Sequence, residues 1–278
     1  MKRDGDGALP EVGPWAEKKY DHLKTYVTMF STGMRKKWPT RVYVDLFAGA
    51  GKAAIEGTSR VVPSSALIAL SVRHPFDRYV FCEKDTPNLA ALRARVRVVA
   101  PDADVRFVPG DCNAQVENLL AELPSAGARD ALTFCFVDPF GLSDLKFATI
   151  RSLARGRRVD FLALVPSHMD ATRNEVRLTA SSEPILDDFL GARDWRSRWE
   201  TMGRKPGRPT FGLFVVDEFG RSMEGLGYLR SEPREAAPVD ARRRPLYHLA
   251  FFSKNPRGSD FWKKTKRSAS KQGELFED

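Results

Sequence analysis

The sequence predicts an α/β protein with a mostly parallel central sheet, helices on both faces, an N-terminal helix and a small C-terminal extension. Three observations predict it. Short β-branched and aromatic runs alternate with longer segments of helical spacing, the signature of successive βα units. A glycine-bearing loop follows the first of those runs directly. Acidic residues stand at the carboxyl ends of the next three, where open α/β sheets place their ligand crevice.

Along the chain, residues 15–34 read as an amphipathic helix. Strands are expected at 42–47, 79–82, 105–108, 132–137 and 161–165. Between them, residues 64–72, 87–99, 113–123 and 149–155 place apolar side chains three or four apart and read as helices. After the fifth strand come helical stretches at 183–190 and 194–202, a Gly/Pro-rich turn at 203–209, and strands at 211–217 and 246–252. The polar, Arg-rich segment 231–245 reads as a mobile loop, and the tail from Lys263, basic and then acidic, is expected to fray. The chain thus divides into an N-terminal tail and helix (1–40), an α/β domain (41–255) with a helical and loop insertion at about 168–245, and a basic tail (256–278).

With 278 residues, 42% hydrophobic and 29% charged, the chain can bury one sizeable core and is neither disordered nor fibrous. No apolar run approaches the roughly 20 residues that span a bilayer, and residues 1–12 lack the apolar stretch of a signal peptide. A cytoplasmic protein without a membrane partner is expected. Cys82, Cys112 and Cys135 are odd in number and match no zinc spacing, so they read as buried thiols, with no metal site. Net charge is +9, and the surplus lies in the second half, with 25 basic against 18 acidic residues in 151–278 and 20 against 18 in 1–150. Such a half is an electrostatic footprint suited to nucleic acid.

The most informative segment is Val44-Asp45-Leu46-Phe47-Ala48-Gly49-Ala50-Gly51-Lys52. A buried strand entering a small-residue loop lets the backbone bend sharply and approach a ligand closely. It is not a phosphate loop of the Walker type, because Leu46 stands where the first glycine belongs and Ala53 replaces the Ser/Thr. Ala54 likewise replaces the third glycine of a dinucleotide fingerprint. The second strand ends in Phe81-Cys82-Glu83-Lys84-Asp85, which puts Glu83 where a ribose diol needs a carboxylate. The third ends in Gly110-Asp111-Cys112-Asn113 and the fourth in Val137-Asp138-Pro139-Phe140-Gly141. Each acidic residue alone also fits a helix N-cap. Past the fifth strand, His168, Asp170, Arg173 and Asn174 form a polar set on the same rim, readable as substrate-facing or as a solvated loop.

These segments resemble class I methyltransferases that use S-adenosylmethionine (SAM), and with them their Rossmann-like fold. The resemblance implies that Asp45, Phe47, Ala48, Gly49 and Gly51 belong to the cofactor loop, that Glu83 with Lys84 holds the ribose, and that Asp111, with Cys112 and Asn113, lies at the adenine. Asp138, Pro139 and Phe140 then form the reaction centre, with His168 beside it. More closely, Tyr20-Asp21-His22-Leu23-Lys24, VDLFAGAG, Pro63-Ser64-Ser65-Ala66-Leu67, FCEKD, GDCN, DPFG, Val159-Asp160-Phe161-Leu162 and Tyr247-His248-Leu249-Ala250-Phe251-Phe252-Ser253-Lys254 resemble the three-Cys-motif partner protein family over nearly the whole chain. That resemblance implies a bacterial or phage-related setting and a three-Cys-motif protein as partner. Beside a plain nucleic-acid-binding scaffold without cofactor, two leading functions stay open. One is a SAM-dependent methyltransferase acting on an amine or base in nucleic acid. The other is a catalytically silent methyltransferase-like module that works with a partner in phage or defence biology. Amino-methyltransferases of nucleobases carry a second proline and then an aromatic where this chain has Phe140 and Gly141, which favours the silent module; the intact glycine loop and Glu83 favour the enzyme. Phe140 itself is readable as a stacking ring or as core. Gln272-Gly273-Glu274-Leu275-Phe276 is similar to the short peptides that dock on the bacterial sliding clamp.

Overall fold

In a computed structural model, residues 2–180, 184–203, 207–230, 234–239 and 245–258 are described. The chain begins with three short strands, β1 (Lys2–Asp4), β2 (Gly7–Leu9) and β3 (Glu11–Val12), followed by the long helix α1 (Trp15–Met34) and the strand β4 (Thr40–Asp45). A hairpin, β5 (Lys52–Ile55) and β6 (Val61–Pro63), leads to α2 (Ser65–Leu70). Then β7 (Arg78–Glu83), α3 (Thr86–Val99), β8 (Val105–Pro109), α4 (Val116–Glu122), β9 (Ala131–Val137), α5 (Phe147–Ala154) and β10 (Val159–Val165) alternate as the periodicity predicts. The remaining elements are α6 (Glu175–Thr179), α7 (Ile185–Leu190), α8 (Trp195–Met202), α9 (Phe211–Glu224), β11 (Leu229–Arg230), β12 (Arg234–Val239) and β13 (Pro245–Ser253).

The main sheet has the order β11-β13-β10-β9-β4-β7-β8. Its five strands β10, β9, β4, β7 and β8 are parallel, and β13 joins antiparallel to β10, with Phe161 opposite Phe252 and Val165 opposite His248. Strands covered on both faces must be apolar nearly throughout. β9, buried at all seven positions, meets that condition. Alternate side chains feed two cores. Tyr43, Phe81, Phe134 and Leu162 pack with Leu23, Tyr26, Val27 and Phe30 of α1 and with α2 and α3. Val44, Val80, Val137 and Phe161 pack with α4, α5 and α7–α9. All three cysteines are free and buried, and burial pushes the thiol pKa of Cys112 up to about 12, as expected of an inert core thiol.

The strand order reverses at β4, since β7 and β8 lie to one side and β9 and β10 to the other. A crevice therefore opens outside the carboxyl ends of β4 and β9, the switch point where such sheets take ligands.

Three expectations are corrected. Residues 211–217 are not a strand but the first half of α9, capped by Thr210, whose hydroxyl accepts from the Leu213 N–H at 3.3 Å. Seven residues fit either period; Phe211, Phe214, Val215 and Phe219 recur at helical spacing, and Trp199 settles the matter with its ring 4.9 Å from Phe211 and 4.8 Å from Phe214. Within 231–245, residues 234–239 are not a loop but an edge strand that pairs antiparallel with β13, Glu235 opposite His248. Pro238, which lacks an N–H, falls where the register shifts, as an edge strand permits. The polar N-terminal residues, expected as a tail, form β1–β3, with β3 extending the β5–β6 hairpin. The basic tail from Lys263 and the clamp-like residues 272–276 lie outside the described residues.

Candidate cofactor and acceptor crevice

The glycine loop follows β4 without a break. Gly49 and Gly51 both hold positive φ, +62° and +84°, which an L side chain rarely adopts. Their surroundings differ. A Cβ on Gly51 would lie 2.9 Å from Leu92 Cδ1 and 3.2 Å from Leu67 Cγ, whereas one on Gly49 would meet nothing within 4 Å and would project into open space. Gly51 is therefore required by packing, and Gly49 keeps the crevice clear. Gly51→Ala is expected to lower stability by about 1–2 kcal/mol, the cost of a left-handed L residue, read as a drop in urea midpoint.

The loop is tied down from two sides. Ala48 N donates to Cys82 O at 2.9 Å, and Gly49 N donates to Glu83 Oε2 at 2.7 Å. From α3, the buried Arg95 donates through Nη1 to Ala50 O at 2.5 Å and through Nη2 to Asp4 Oδ1 at 2.7 Å. Lys52 Nζ adds a contact of 3.0 Å to Asp6. The N-terminal strands are thereby strapped over the loop, an arrangement sequence reasoning missed: Arg95 sits in an ordinary amphipathic helix, 91 residues from Asp4.

At the next strand ends, Glu83 Oε1 accepts from Asp85 N at 2.7 Å, so each carboxylate oxygen holds one backbone N–H and retains further lone pairs. Asp111 Oδ1 accepts from Asn113 N at 2.7 Å. Lys84 Nζ pairs with Asp144 at 2.8 Å, and Asp144 Oδ2 accepts from Gly141 N at 2.9 Å, linking the ends of β7 and β9. On the far side, Asp138 Oδ2 lies 2.6 Å from Lys19 Nζ of α1, with only 15% and 14% of the two side chains exposed. Burial alone would push the Lys19 pKa down; attraction to Asp138 reverses this and leaves the ammonium well above its usual value. Tyr247 of β13 lines the same crevice, and its buried hydroxyl has no hydrogen-bond partner among the described residues. Phe140 is 87% exposed at the mouth, so it is a free ring and not part of the core.

The cavity measures about 470 Å³, within the roughly 300–1,000 Å³ of small-molecule sites. Phe47, Ala48, Gly49, Glu83 and Lys84 line it, and so do Asp111, Cys112, Asp138, Pro139 and Phe140. Four other residues expected at the site are not in its lining. Gly51 lies behind the loop. Asn113 braces the neighbouring turn, donating to Asp144 O and accepting from Lys146 N and from the Thr149 hydroxyl. His168 is buried in a π-helical turn (Ser167–Thr172), next to Ser167, whose hydroxyl meets His248 Nδ1 at 2.7 Å. In that turn Asp170 faces the loop after β9, accepting from Leu142 N at 2.7 Å.

The fourth, Asp45, is fully buried beneath the loop, where its Oδ1 accepts from Phe47 N at 3.2 Å. Burial raises its pKa to about 7, Asp138 and Glu83 adding repulsion against the hydrogen bonds of Ser65 and Phe47. A carboxyl raised on folding contributes stability that is complete below its unfolded value and lost as pH rises through the folded one. Asp45→Asn is therefore expected to become progressively more stable relative to the parent from about pH 4 to about pH 7, by up to about 1.4 kcal/mol per pH unit, in urea titrations across that range.

No protein-family model and no curated protein matches the chain. Among solved structures, a Legionella pneumophila protein of the DUF519 family aligns over 91% of this chain and 91% of its own, with a TM-score of 0.53 and 11% identity. The fold is Rossmann-like, with a mostly parallel central sheet. Trm1 from Pyrococcus horikoshii, solved with SAM, aligns over 93% of this chain and 62% of its own at a TM-score of 0.45 and 11% identity. TYW2 from the same organism aligns over 87% and 64% at 0.42 and 12%. Within this fold, the crevice lies at the switch point between β4 and β9, and among the described residues no helix is long and apolar enough to cross a membrane.

Proposed function

We propose that the chain is a SAM-dependent methyltransferase acting on an amine or base in nucleic acid, related to the three-Cys-motif partner proteins. The observation that carries this reading is the pairing of Glu83 and Asp138 at two ends of one crevice, with the open Gly49 backbone between them. The residues fit the cofactor. Glu83 has lone pairs left for two ribose hydroxyls, Asp111 stands beside it for the adenine, and residues 47–49 present backbone to the methionine part. Bound there, SAM supplies a methyl group on a cationic sulfur. Asp138 accepts hydrogen bonds from the acceptor nitrogen in exchange for the one from Lys19, and the exposed Phe140 ring stacks on a planar acceptor. Alignment supplies most of the acceleration such a transfer needs.

Two observations favour the silent module instead: Lys19 already occupies Asp138, and no second proline follows Pro139. Calorimetric titration with SAM and S-adenosylhomocysteine, followed by transfer of labelled methyl to total RNA and DNA, separates the two. The enzyme reading expects micromolar binding and label in nucleic acid that disappears in Asp138→Ala with cofactor affinity kept. Binding without transfer to any acceptor supports the silent module, and no binding by folded protein means a crevice that is vestigial or needs its partner.

A further inference from the structure

We infer that the end of the sheet opposite the crevice is a nucleic-acid docking surface. There β4, β9 and β10 begin and the antiparallel β13 ends, so four chain segments meet: 35–39, 125–130, 155–158 and 254–257. They are joined directly. Thr40 N donates to Asp130 O at 3.1 Å, Gly127 N to Gly156 O at 2.6 Å, and Thr133 N to Arg158 O at 2.9 Å. The Arg158 guanidinium lies over the Trp38 ring, 5.2 Å from its centroid, and donates to Arg129 O at 2.8 Å.

These segments carry nine cations, Arg35, Lys36 and Lys37 from the end of α1, Arg129, Arg155, Arg157 and Arg158 from the loops, and Lys254 and Arg257 after β13, against one carboxylate, Asp130. All but the half-buried Arg157 are exposed. Among the described residues none of the nine is ion-paired. On the other half of the same edge, Arg78 and Arg106 are matched to Asp104 and Glu122, and Arg41 to Asp77. Charge is thus neutralised under β7 and β8 and at Arg41 of β4, and left uncompensated on the segments that precede β4, β9 and β10 and that follow β13. Asp160, the second residue of β10, is a half-buried carboxylate on the same strand end.

Four neighbouring strand ends span roughly 15 Å at about 4.8 Å per strand, room for several phosphates of one nucleic-acid strand. Guanidinium groups already oriented by carbonyls, as in Arg157 to Pro124 O at 3.0 Å, lose little freedom on binding a phosphate. A stretch of β-strand, roughly 20 Å at about 3.3 Å per residue, separates this surface from the crevice. Docking here is independent of methyl transfer: it leaves the crevice open, and a long nucleic acid reaches both.

The test is fluorescence anisotropy with a labelled duplex DNA and a labelled single-stranded RNA over a series of sodium chloride concentrations. The variant carries Lys36→Gln, Lys37→Gln, Arg129→Gln and Arg155→Gln, side chains for which the structure shows no hydrogen bond or ion pair; a melting curve confirms its fold. Binding is expected to weaken at least tenfold, and the slope of log K against log salt to fall by about 3, at roughly 0.7–0.9 for each lost phosphate contact. Lys18→Gln with Lys24→Gln, on α1 away from this end, should leave the slope unchanged. An unchanged slope in the fourfold variant, no binding of either nucleic acid to the wild type, or binding to phosphatidylserine vesicles in place of nucleic acid overturns the proposal. SAM titration of the same variant reports separately on the crevice, so failure of one reading is not failure of the other.

Discussion

Glu83→Ala abolishes measurable SAM binding while the protein still folds: this is the largest effect expected. The carboxylate has two tasks. It accepts from Gly49 N and Asp85 N, both at 2.7 Å, and so sets the position of the glycine loop and of the turn entering α3. In the proposed complex it also accepts from the ribose hydroxyls. Charge-assisted hydrogen bonds contribute about 1.5–3 kcal/mol each, so losing two to the ligand weakens affinity by at least about a hundredfold. The two orphaned N–H groups border the crevice and can find water, which limits the loss of folding stability to about 1–2 kcal/mol. Glu83→Gln, which keeps an oxygen and the volume, should fall between. Calorimetry and thermal melting measure both quantities, and an unchanged dissociation constant in Glu83→Ala would sink the assignment of Glu83 to the cofactor.

The second large effect belongs to Lys19 and Asp138. Breaking a fully buried pair costs about 3–5 kcal/mol because one charge is stranded; here each side chain keeps some exposure to the crevice, so about 1–3 kcal/mol is expected of Lys19→Met or Asp138→Asn alone. Lys19→Met with Asp138→Asn should recover much of that loss, and urea midpoints of the four proteins give the coupling directly. Activity divides differently. Asp138→Asn is expected to reduce methyl transfer by at least about a hundredfold, the scale of one aligned polar contact, with SAM affinity retained. If the four stabilities are simply additive, the ion pair is incidental and the acceptor side of the crevice needs another explanation.

The glycine loop was legible because its information is local. Positive φ at Gly49 and Gly51 demands residue types visible in any sequence. The strand ends were legible for a related reason, since an apolar run halted by Glu83 or Asp138 marks both the strand and its end, and the Gly110-Asp111 turn marks the end of the more exposed β8. The helix at 211–217 was misread because seven residues satisfy two periods, and only Trp199, from another element, distinguishes them. The edge strand at 234–239 was misread because its pairing is supplied by β13 and not by its own composition.

By itself, the sequence determined the order of βα units, the backbone of the glycine loop and the carboxylates at the strand ends, since each rests on periodicity or on the stereochemistry of single residues. Only the tertiary structure decided what faces those carboxylates. Lys19 reaches Asp138 across 119 residues, Tyr247 enters the crevice because β13 lies beside β10, and Arg95 reaches back to the first strand. Such contacts depend on which strands become neighbours, and that is settled by burying two apolar faces at once, not by any residue's own preference.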